Sequence, residues 1–213
     1  MTMILSEPEL RVLGSLVEKE TTTPEYYPLS LNSLMNACNQ KTNREPVVSY
    51  DECKVAQAVN DLRDKGLVIV VSARDSRVPK YDNYFSDTYS LSPAESAALC
   101  VLMLRGPQTP GEIRGRAERL HEFGELSEVD AVLEGLASRE AGALVVKLPR
   151  QPGRKEYRYA HLLGGDLDIE ALDAGSASES GTGGCSEKAR IERLEAELTA
   201  LRQEFAEFKK QFE

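Results

Sequence analysis

Histidine, cysteine and serine side chains are the groups that most often carry nucleophilic, acid–base or metal chemistry in proteins. The chain has two histidines, His121 and His161, and neither has an evident partner nearby in sequence. No two cysteines form a C-x-x-C pair, and the four are scattered at Cys38, Cys53, Cys100 and Cys185. There is also no glycine-rich phosphate loop and no G-x-S-x-G sequence. We therefore expect no enzymatic activity, no cofactor and no metal, with the cysteines as buried, reduced thiols.

Basic and amide side chains form the other chemically useful set, because they donate hydrogen bonds to phosphates and to base edges. The densest group is the polar segment Asn39, Gln40, Lys41, Thr42, Asn43 and Arg44. The remaining members lie on two predicted hairpins or on one predicted helix, at Arg74, Arg77, Lys80, Arg114, Arg116, Arg119, Arg150, Arg154, Lys155 and Arg158. Aromatic neighbours such as Tyr81 and Tyr84 suit contact along a nucleic-acid backbone. These residues are our candidate nucleic-acid-binding set; the alternative is that exposed loops collect charge without binding anything.

The net charge of −9 argues against a protein that coats nucleic acid. Counting Asp, Glu, Lys and Arg gives −3 for residues 1–90, 0 for residues 91–165 and −6 for residues 166–213. Most of the acidity therefore lies in the last part of the chain. The longest aliphatic run, Leu67–Val71, is far shorter than the roughly 20 residues that span a bilayer, and no N-terminal targeting signal is visible. We expect a cytoplasmic protein that does not bind membranes.

Helix-start signals occur twice in the same order and divide most of the chain into two copies. Each copy opens with a capping box, Ser6 to Glu9 and Ser92 to Glu95. The second helices are predicted to begin at Ser30 and at Thr109-Pro110-Gly111-Glu112. The third helices are predicted to open with Ser49-Tyr50-Asp51-Glu52 and Ser127-Glu128-Val129-Asp130, and to end near Gly66 and Gly142. Each copy is therefore expected to contain three helices.

A β-rich stretch follows the third helix in each copy. The first strands are predicted at Leu67–Val71 and Ala143–Lys147, and the return strands at Thr88–Leu91 and Glu156–Tyr159. Three helices followed by a hairpin is the order of a winged helix, in which the third helix reads DNA and the hairpin forms the wing. We therefore predict an α+β, mainly helical fold with two tandem winged-helix domains, residues 1–90 and 91–163. The alternative is two unrelated small α+β units that share generic caps.

The rest of the chain divides into a linker and an amphipathic helix. Residues 164–186 are rich in glycine and serine, a composition that cannot bury enough apolar surface to order itself. In residues 187–213 apolar side chains recur at alternating intervals of three and four, at Ile191, Leu194, Leu198, Leu201, Phe205, Phe208 and Phe212. The charges that flank this seam favour a parallel pairing. We predict a coiled coil that joins two or more copies of the chain; the alternative is that this helix docks on its own chain.

The stretch from Glu18 to Val47 carries a more specific signal. Its first part reads EKETTTPEYYPLSLN, and its second part, ACNQKTNREPV, contains the polar segment described above. This motif resembles the YceH-like family of uncharacterised bacterial proteins, and the resemblance extends over about residues 5–163. The resemblance implies two winged-helix domains. It implies no known activity, and therefore no catalytic or ligand residues.

Two functions remain open at this point. The leading prediction is a non-enzymatic, regulator-like protein that binds double-stranded DNA through its wings and the segment Asn39–Arg44. The rival is a protein–protein adaptor in a larger assembly, because the third helices are acidic, with Asp51, Glu52, Asp61 and Asp64 in one and Glu128, Asp130, Glu134 and Glu140 in or next to the other. If Asn39–Arg44 is a contact surface, alanine at Lys41 and Arg44 should weaken partner binding without lowering the melting temperature.

Overall fold

A computed structural model describes residues 3–71, 78–150 and 156–165 and has an α+β fold with small antiparallel sheets. In these ranges the helices are α1 Glu7–Thr22, α2 Leu31–Cys38, α3 Glu52–Asp64, α4 Phe85–Tyr89, α5 Pro93–Arg105, α6 Pro110–Ala117 and α7 Leu126–Ala137. A 3-10 helix covers Pro24–Tyr26, and the strands are β1 Leu29–Ser30, β2 Val68–Val71, β3 Lys80–Asn83, β4 Val145–Lys147 and β5 Tyr159–His161. No helix of these ranges is long and apolar enough to cross a membrane. The predicted coiled coil, and all but the first two residues of the predicted linker, lie outside the described residues.

Local capping sets the starts of four helices, and the predicted starts of α1, α2, α5 and α6 are confirmed. At α5 the Ser92 N–H donates to the Glu95 carboxylate at 2.8 Å, and the Glu95 N–H donates back to the Ser92 hydroxyl at 3.3 Å. Such a cap contributes about 1 kcal/mol to helix stability. Capping boxes also join Ser6 with Glu9 and Thr109 with Glu112, and Ser30 caps α2.

Helices α3 and α7 begin at other residues than the serines predicted. Asp51, not Ser49, is the N-cap of α3, and its carboxylate accepts a first-turn N–H at 2.8 Å. Helix α7 begins at Leu126, so Ser127 lies inside its first turn, where the hydroxyl is 3.1 Å from the Glu125 carboxylate. At α3 the Asp51 carboxylate accepts a free N–H group as serine would and also interacts favourably with the positive end of the helix dipole. Glu125, the N-cap of α7, makes no such side-chain hydrogen bond.

The return strand of the first hairpin is not Thr88–Leu91, so that prediction is wrong. The strand that pairs with β2 is β3, with Ile69 opposite Asp82. The chain turns after β3 to bury Phe85, which is fully buried and begins α4, and the Tyr89 ring packs against it at 5.3 Å. In the second hairpin β4 pairs with β5, which starts only at the last residue of the predicted return strand.

A short strand between α1 and α2 was not predicted. Leu29 of β1 pairs with Tyr81 of β3, which makes β3 the middle strand of a three-stranded sheet. The second part of the chain has the same feature in reduced form. Gln108, immediately before the N-cap of α6, forms an antiparallel bridge with Tyr159 of β5, with N–H···O distances of 3.0 and 2.8 Å. The repeat thus extends to the segment that precedes each second helix.

Helices α1 and α5 pack closely against each other at the centre of the described structure, and α1 has a glycine where they meet. The Cys100 thiol lies 3.4 Å from the Gly14 carbonyl. A Cβ on Gly14 would come within 2.9 Å of Leu104 Cδ2, so glycine permits this close approach. Gly14 and Cys100 are 86 residues apart, the interval that also separates the N-caps Ser6 and Ser92. We call residues 3–90 and 91–165 the first and second halves. Their described parts pack through equivalent positions over one continuous hydrophobic core.

Candidate nucleic-acid interface

Arg44, which the sequence places in a contact segment, is only 4% exposed. Its guanidinium makes a two-pronged ion pair with Glu18 of α1, with Nη1 3.1 Å from Oε1 and Nη2 2.6 Å from Oε2. Nη2 also donates to the Ala37 carbonyl in the last turn of α2 at 2.9 Å. In this structure Arg44 fastens the segment to α1 and α2, with its donors directed into the protein. The structure thereby separates Arg44 from Lys41, which the sequence treats alike. Because Arg44 is buried in an ion pair, we now expect its replacement by alanine to lower the melting temperature, contrary to the expectation from the sequence.

The ion pair between Glu18 and Arg44 is charged at neutral pH. Burial alone would raise the pKa of Glu18, but the hydrogen bonds and the positive charge of Arg44 outweigh burial and hold the pKa below its ordinary value. Lys19 lies 3.4 Å from the same carboxylate and acts in the same direction. The segment Asn39–Arg44 is therefore held to α1 by a buried electrostatic contact.

The other residues of this segment fall into two groups. Asn39 pairs with the backbone of Tyr50 in both directions, each hydrogen bond 2.8 Å long, and so fixes the approach to α3. The side-chain amide oxygen of Gln40 accepts hydrogen bonds from Arg44 at 3.3 Å and from Lys19 at 3.4 Å. Lys41, Thr42 and Asn43, in contrast, are exposed. The turn therefore presents Lys41 to Asn43 outward, while its flanking residues hold it in place.

The exposed face of α3 carries amide side chains that the sequence reasoning did not single out. Gln57 and Asn60 both lie on this face. The Gln57 amide donates to Asp61 at 2.7 Å, and Arg63 donates to Asn60 at 3.3 Å. The acidic residues of α3 are thus interleaved with hydrogen-bonding groups of the kind that read base edges. Their spacing of three residues on one predicted helix was the available signal.

The basic residues of the two hairpins are only partly described. Lys80 is half-buried in β3, and Arg150 and Arg158 lie on the second hairpin, exposed and half-buried respectively. Arg150 lies 5.7 Å from the centre of the Tyr157 ring, so a basic and an aromatic side chain are close together there, as predicted. Four other candidates lie outside the described residues: Arg74, Arg77, Arg154 and Lys155.

Helix α6 directs its arginines to two sides. Arg114 is exposed and donates to the Gly124 carbonyl at 3.0 Å. Arg116 lies 3.6 Å from Glu112, and Arg119 is exposed just after the helix. Arg116 and Arg119 line a cleft between the ends of α1, α5 and α6 and the Asn39–Arg44 segment, whereas Arg114 is not part of it. The arginines that the sequence assigns to one helix therefore lie in two different environments.

We call this cavity of about 170 Å³ the interhalf cleft. Its polar lining consists of Glu18, Lys19, Thr22, Gln40, Thr42, Asn43, Arg105, Arg116 and Arg119, and its apolar floor of Cys100, Val101, Leu104 and Leu120. Lys19 and Arg105 were not predicted as site residues. They occupy equivalent positions of the repeat, because the interval of 86 residues between Gly14 and Cys100 also relates Lys19 to Arg105. That interval was the signal that could have found them.

A second cavity, of about 350 Å³, lies between α6, α7 and the second hairpin and has an acidic and aromatic lining. Its carboxylates are Asp130, Glu134 and Glu156. Lys147 reaches over the ring of Tyr157 at 4.4 Å and so supplies one positive charge to this surface. The acidic character of the second predicted recognition helix is therefore concentrated next to exposed aromatic surface.

His161 and the buried cysteines have environments that disfavour their charged forms. Burial lowers the pKa of His161 to about 4 and raises the pKa of Cys38 to about 11. Burial likewise raises the pKa of Cys100 far above its ordinary value. In residues 3–71, 78–150 and 156–165, no three His, Cys, Asp or Glu side chains are grouped so as to hold a metal ion. The structure thus indicates neutral, buried thiols at Cys38 and Cys100. Cys53 is exposed, so the prediction that the cysteines are buried is wrong at that position.

Comparison with known proteins bears on the motif at Glu18–Val47. The family model described as a protein of unknown function, DUF480, matches residues 5–154. A protein of Vibrio atlanticus with the name UPF0502 is 49% identical over 98% of this chain and 97% of its own length. UPF0502 proteins of Citrifermentans bemidjiense and Pelobacter propionicus are 55% and 52% identical, over 93% and 100% of this chain and 90% and 100% of their own lengths. The expected resemblance is confirmed, and the chain belongs to the DUF480 family of uncharacterised bacterial proteins.

Proposed function

We propose that the two halves are tandem winged-helix domains of a cytoplasmic, non-enzymatic, regulator-like protein that binds double-stranded DNA. One observation carries the proposal. In each half a helix is followed by a strand or bridge, two more helices and a hairpin, and the second strand of that hairpin pairs back to the segment before the second helix. A winged helix has this order and places its third helix and hairpin side by side for DNA. Fold alone does not determine function, so the proposal depends on the surface groups.

The proposed contacts are the basic and amide residues that face outward. Phosphates would be bound by the exposed members of the candidate set, Lys41, Asn43, Arg114 and Arg150, and by the exposed parts of the half-buried Lys80 and Arg158. Gln57 and Asn60 on α3 add groups that hydrogen bond to base edges. Asn39, Gln40 and Arg44 would act indirectly, by holding the turn that carries Lys41.

The proposal is tested by fluorescence anisotropy with a labelled mixed-sequence duplex over a series of salt concentrations. Each phosphate contact contributes about −0.9 to the slope of log K against log salt, so Lys41→Ala should lower the affinity and reduce the slope by about 1. Glu45→Gln is the matched control, because it removes a charge of the opposite sign from an exposed residue close to Lys41. It should strengthen DNA binding, because it removes a negative charge beside the phosphates.

Two results would count against DNA as the partner. The first is absence of binding at low salt, where even a protein with an unknown operator binds non-specifically. The second is binding that Lys41→Ala leaves unchanged and Glu45→Gln weakens, since that order of effects indicates a basic partner. Circular dichroism should show that both variants keep the fold, as both side chains are exposed.

A protein–protein adaptor is the second candidate function, and the acidic cavity beside α7 favours it. Asp130, Glu134 and Glu156 would attract a lysine- or arginine-rich segment, and Tyr157 would pack against its aliphatic parts. A labelled lysine-rich peptide should then bind the protein, and Glu134→Gln should weaken that binding. Equal peptide affinities of wild type and Glu134→Gln would speak against this use of the cavity.

The proposal includes dimerisation through the coiled coil predicted for residues 187–213. Those residues lie outside the described structure, so the argument remains the heptad pattern of the sequence. A dimer would present two pairs of winged helices to one duplex, and linked binding sites raise overall affinity without any new contact.

A further inference from the structure

The interhalf cleft collects positive charge from both halves of the repeat. Lys19 lies in the last turn of α1, Arg105 in the last turn of α5, and Arg116 and Arg119 at the end of α6. A basic residue in a last turn also offsets the helix dipole. Here three helix ends meet at one cavity. Compensation of each helix dipole does not require the basic side chains of different helices to lie together. We propose that the cleft binds a small soluble anion with phosphate or carboxylate groups.

The charge balance of the cleft favours an anion. The carboxylate that lines the cleft, Glu18, already pairs with Arg44 at 2.6 Å. Glu112, which is not part of the lining, lies 3.6 Å from Arg116 and offsets the charge of that arginine. Lys19 is 3.4 Å from Glu18, but that carboxylate is shared with Arg44. Arg119 forms no hydrogen bond or ion pair within the described part of the chain, so its guanidinium is available to a ligand.

The polar neutral groups of the cleft also suit an anion. The side-chain amide oxygen of Gln40 already accepts from Arg44 at 3.3 Å and from Lys19 at 3.4 Å. The NH₂ group of the same side chain is therefore the part of Gln40 that can donate to an anion. Thr42 adds a hydroxyl that can donate. Hydrogen bonds to charged groups are stronger than those between neutral groups, so such donors bind a phosphate or carboxylate better than a neutral ligand.

The size of the cleft limits the ligand. A cavity of about 150 Å³ holds one benzene molecule, and the cleft measures about 170 Å³. A free phosphate, a phosphomonoester group or a small dicarboxylate fits this volume. Such an anion would contact Lys19 and Gln40 of the first half and Arg105 and Arg119 of the second, so its binding would fasten the two halves together. This function is additional to DNA binding and does not depend on it.

The test uses the full-length protein with inorganic phosphate and with succinate as probes, by isothermal titration calorimetry at constant ionic strength adjusted with chloride. At least one probe should bind and should raise the melting temperature above that in chloride. Loss of one charged hydrogen bond corresponds to about tenfold or more in affinity, so Arg119→Gln should weaken binding by at least this factor. Arg63→Gln, an exposed arginine of α3 outside the cleft and outside the proposed DNA contacts, should bind the probe as wild type does.

Several outcomes would overturn the proposal. The first is that neither probe binds, and the second is that Arg119→Gln binds as tightly as wild type. The third is that Arg119→Gln and Arg63→Gln lose affinity equally. A second arm measures duplex affinity of the same variants in phosphate-free buffer. If Arg119→Gln loses DNA affinity while neither probe binds wild type, the cleft serves the DNA backbone and the small-anion proposal is wrong. If a probe binds in the expected pattern but no duplex binds, the cleft proposal stands and the DNA proposal fails.

Discussion

The buried pair of Arg44 and Glu18 offers the sharpest test of how the candidate surface is built. Replacing Arg44 by Met keeps the aliphatic length but leaves the Glu18 carboxylate, 10% exposed, without its principal counter-charge. Removing one partner of a buried ion pair costs about 3–5 kcal/mol, and the small exposure of Glu18 places the cost near 3 kcal/mol. For a chain of this size that loss lowers the melting temperature by about 10 °C.

The matched control is Lys41→Met, three residues away in the same segment and exposed. It should change the melting temperature by no more than about 1–2 °C, since exposed substitutions usually lie within about 0.5 kcal/mol. Thermal and urea unfolding followed by circular dichroism measure both variants. A double variant, Arg44→Met with Glu18→Met, should recover much of the loss, because an apolar pair can replace a buried ion pair.

The pH dependence provides an independent check of the same pair. The pKa of Glu18 is lowered in the folded protein, so the pair stabilises above the ordinary carboxyl pKa and loses that contribution as pH falls. In Arg44→Met, burial without the arginine should raise the pKa of Glu18, so protonation relieves the buried charge. The stability gap between wild type and Arg44→Met should therefore narrow toward acid pH. A melting temperature of Arg44→Met within about 2 °C of wild type, or a gap that is constant with pH, would refute this reasoning.

Three further predictions concern packing, titration and assembly. Gly14→Val should destabilise the protein by about 1–3 kcal/mol in urea unfolding, because even a Cβ there lies 2.9 Å from Leu104; Gly135→Ala, whose Cβ meets nothing within 4 Å, should instead stabilise α7 by up to about 1 kcal/mol. Burial lowers the pKa of His161 to about 4, so the unfolded chain is protonated first and wild type should lose up to about 3 kcal/mol of stability between about pH 6.5 and pH 4. His161→Phe should not show this loss, and a pH profile of stability equal to that of wild type would contradict this. Leu198→Glu should convert a dimer to a monomer in light scattering, and a monomeric wild type would exclude the predicted coiled coil.

Local signals in the sequence predicted the helix starts that depend on neighbouring residues. Ser92 and Glu95 lie three residues apart, and their mutual hydrogen bonds form within a single turn. The aliphatic run Leu67–Val71 likewise predicted β2 correctly. The prediction failed where a distant residue decides. The return strand was placed too late because Phe85 leaves the strand to enter a core assembled from both halves.

By itself, the sequence determined the three main helices and the first hairpin strand of each half, their internal repeat and the family to which the chain belongs. Only the tertiary structure decided which basic residues are available for binding. Arg44 and Lys41 are alike in sequence, yet one is buried against Glu18, 26 residues earlier, and the other is exposed. The physical reason is that capping and hydrophobic periodicity act within a few residues, whereas burial and ion pairing depend on which helices pack together. The crossing of α1 and α5 at Gly14 brings the two halves together and creates the interhalf cleft.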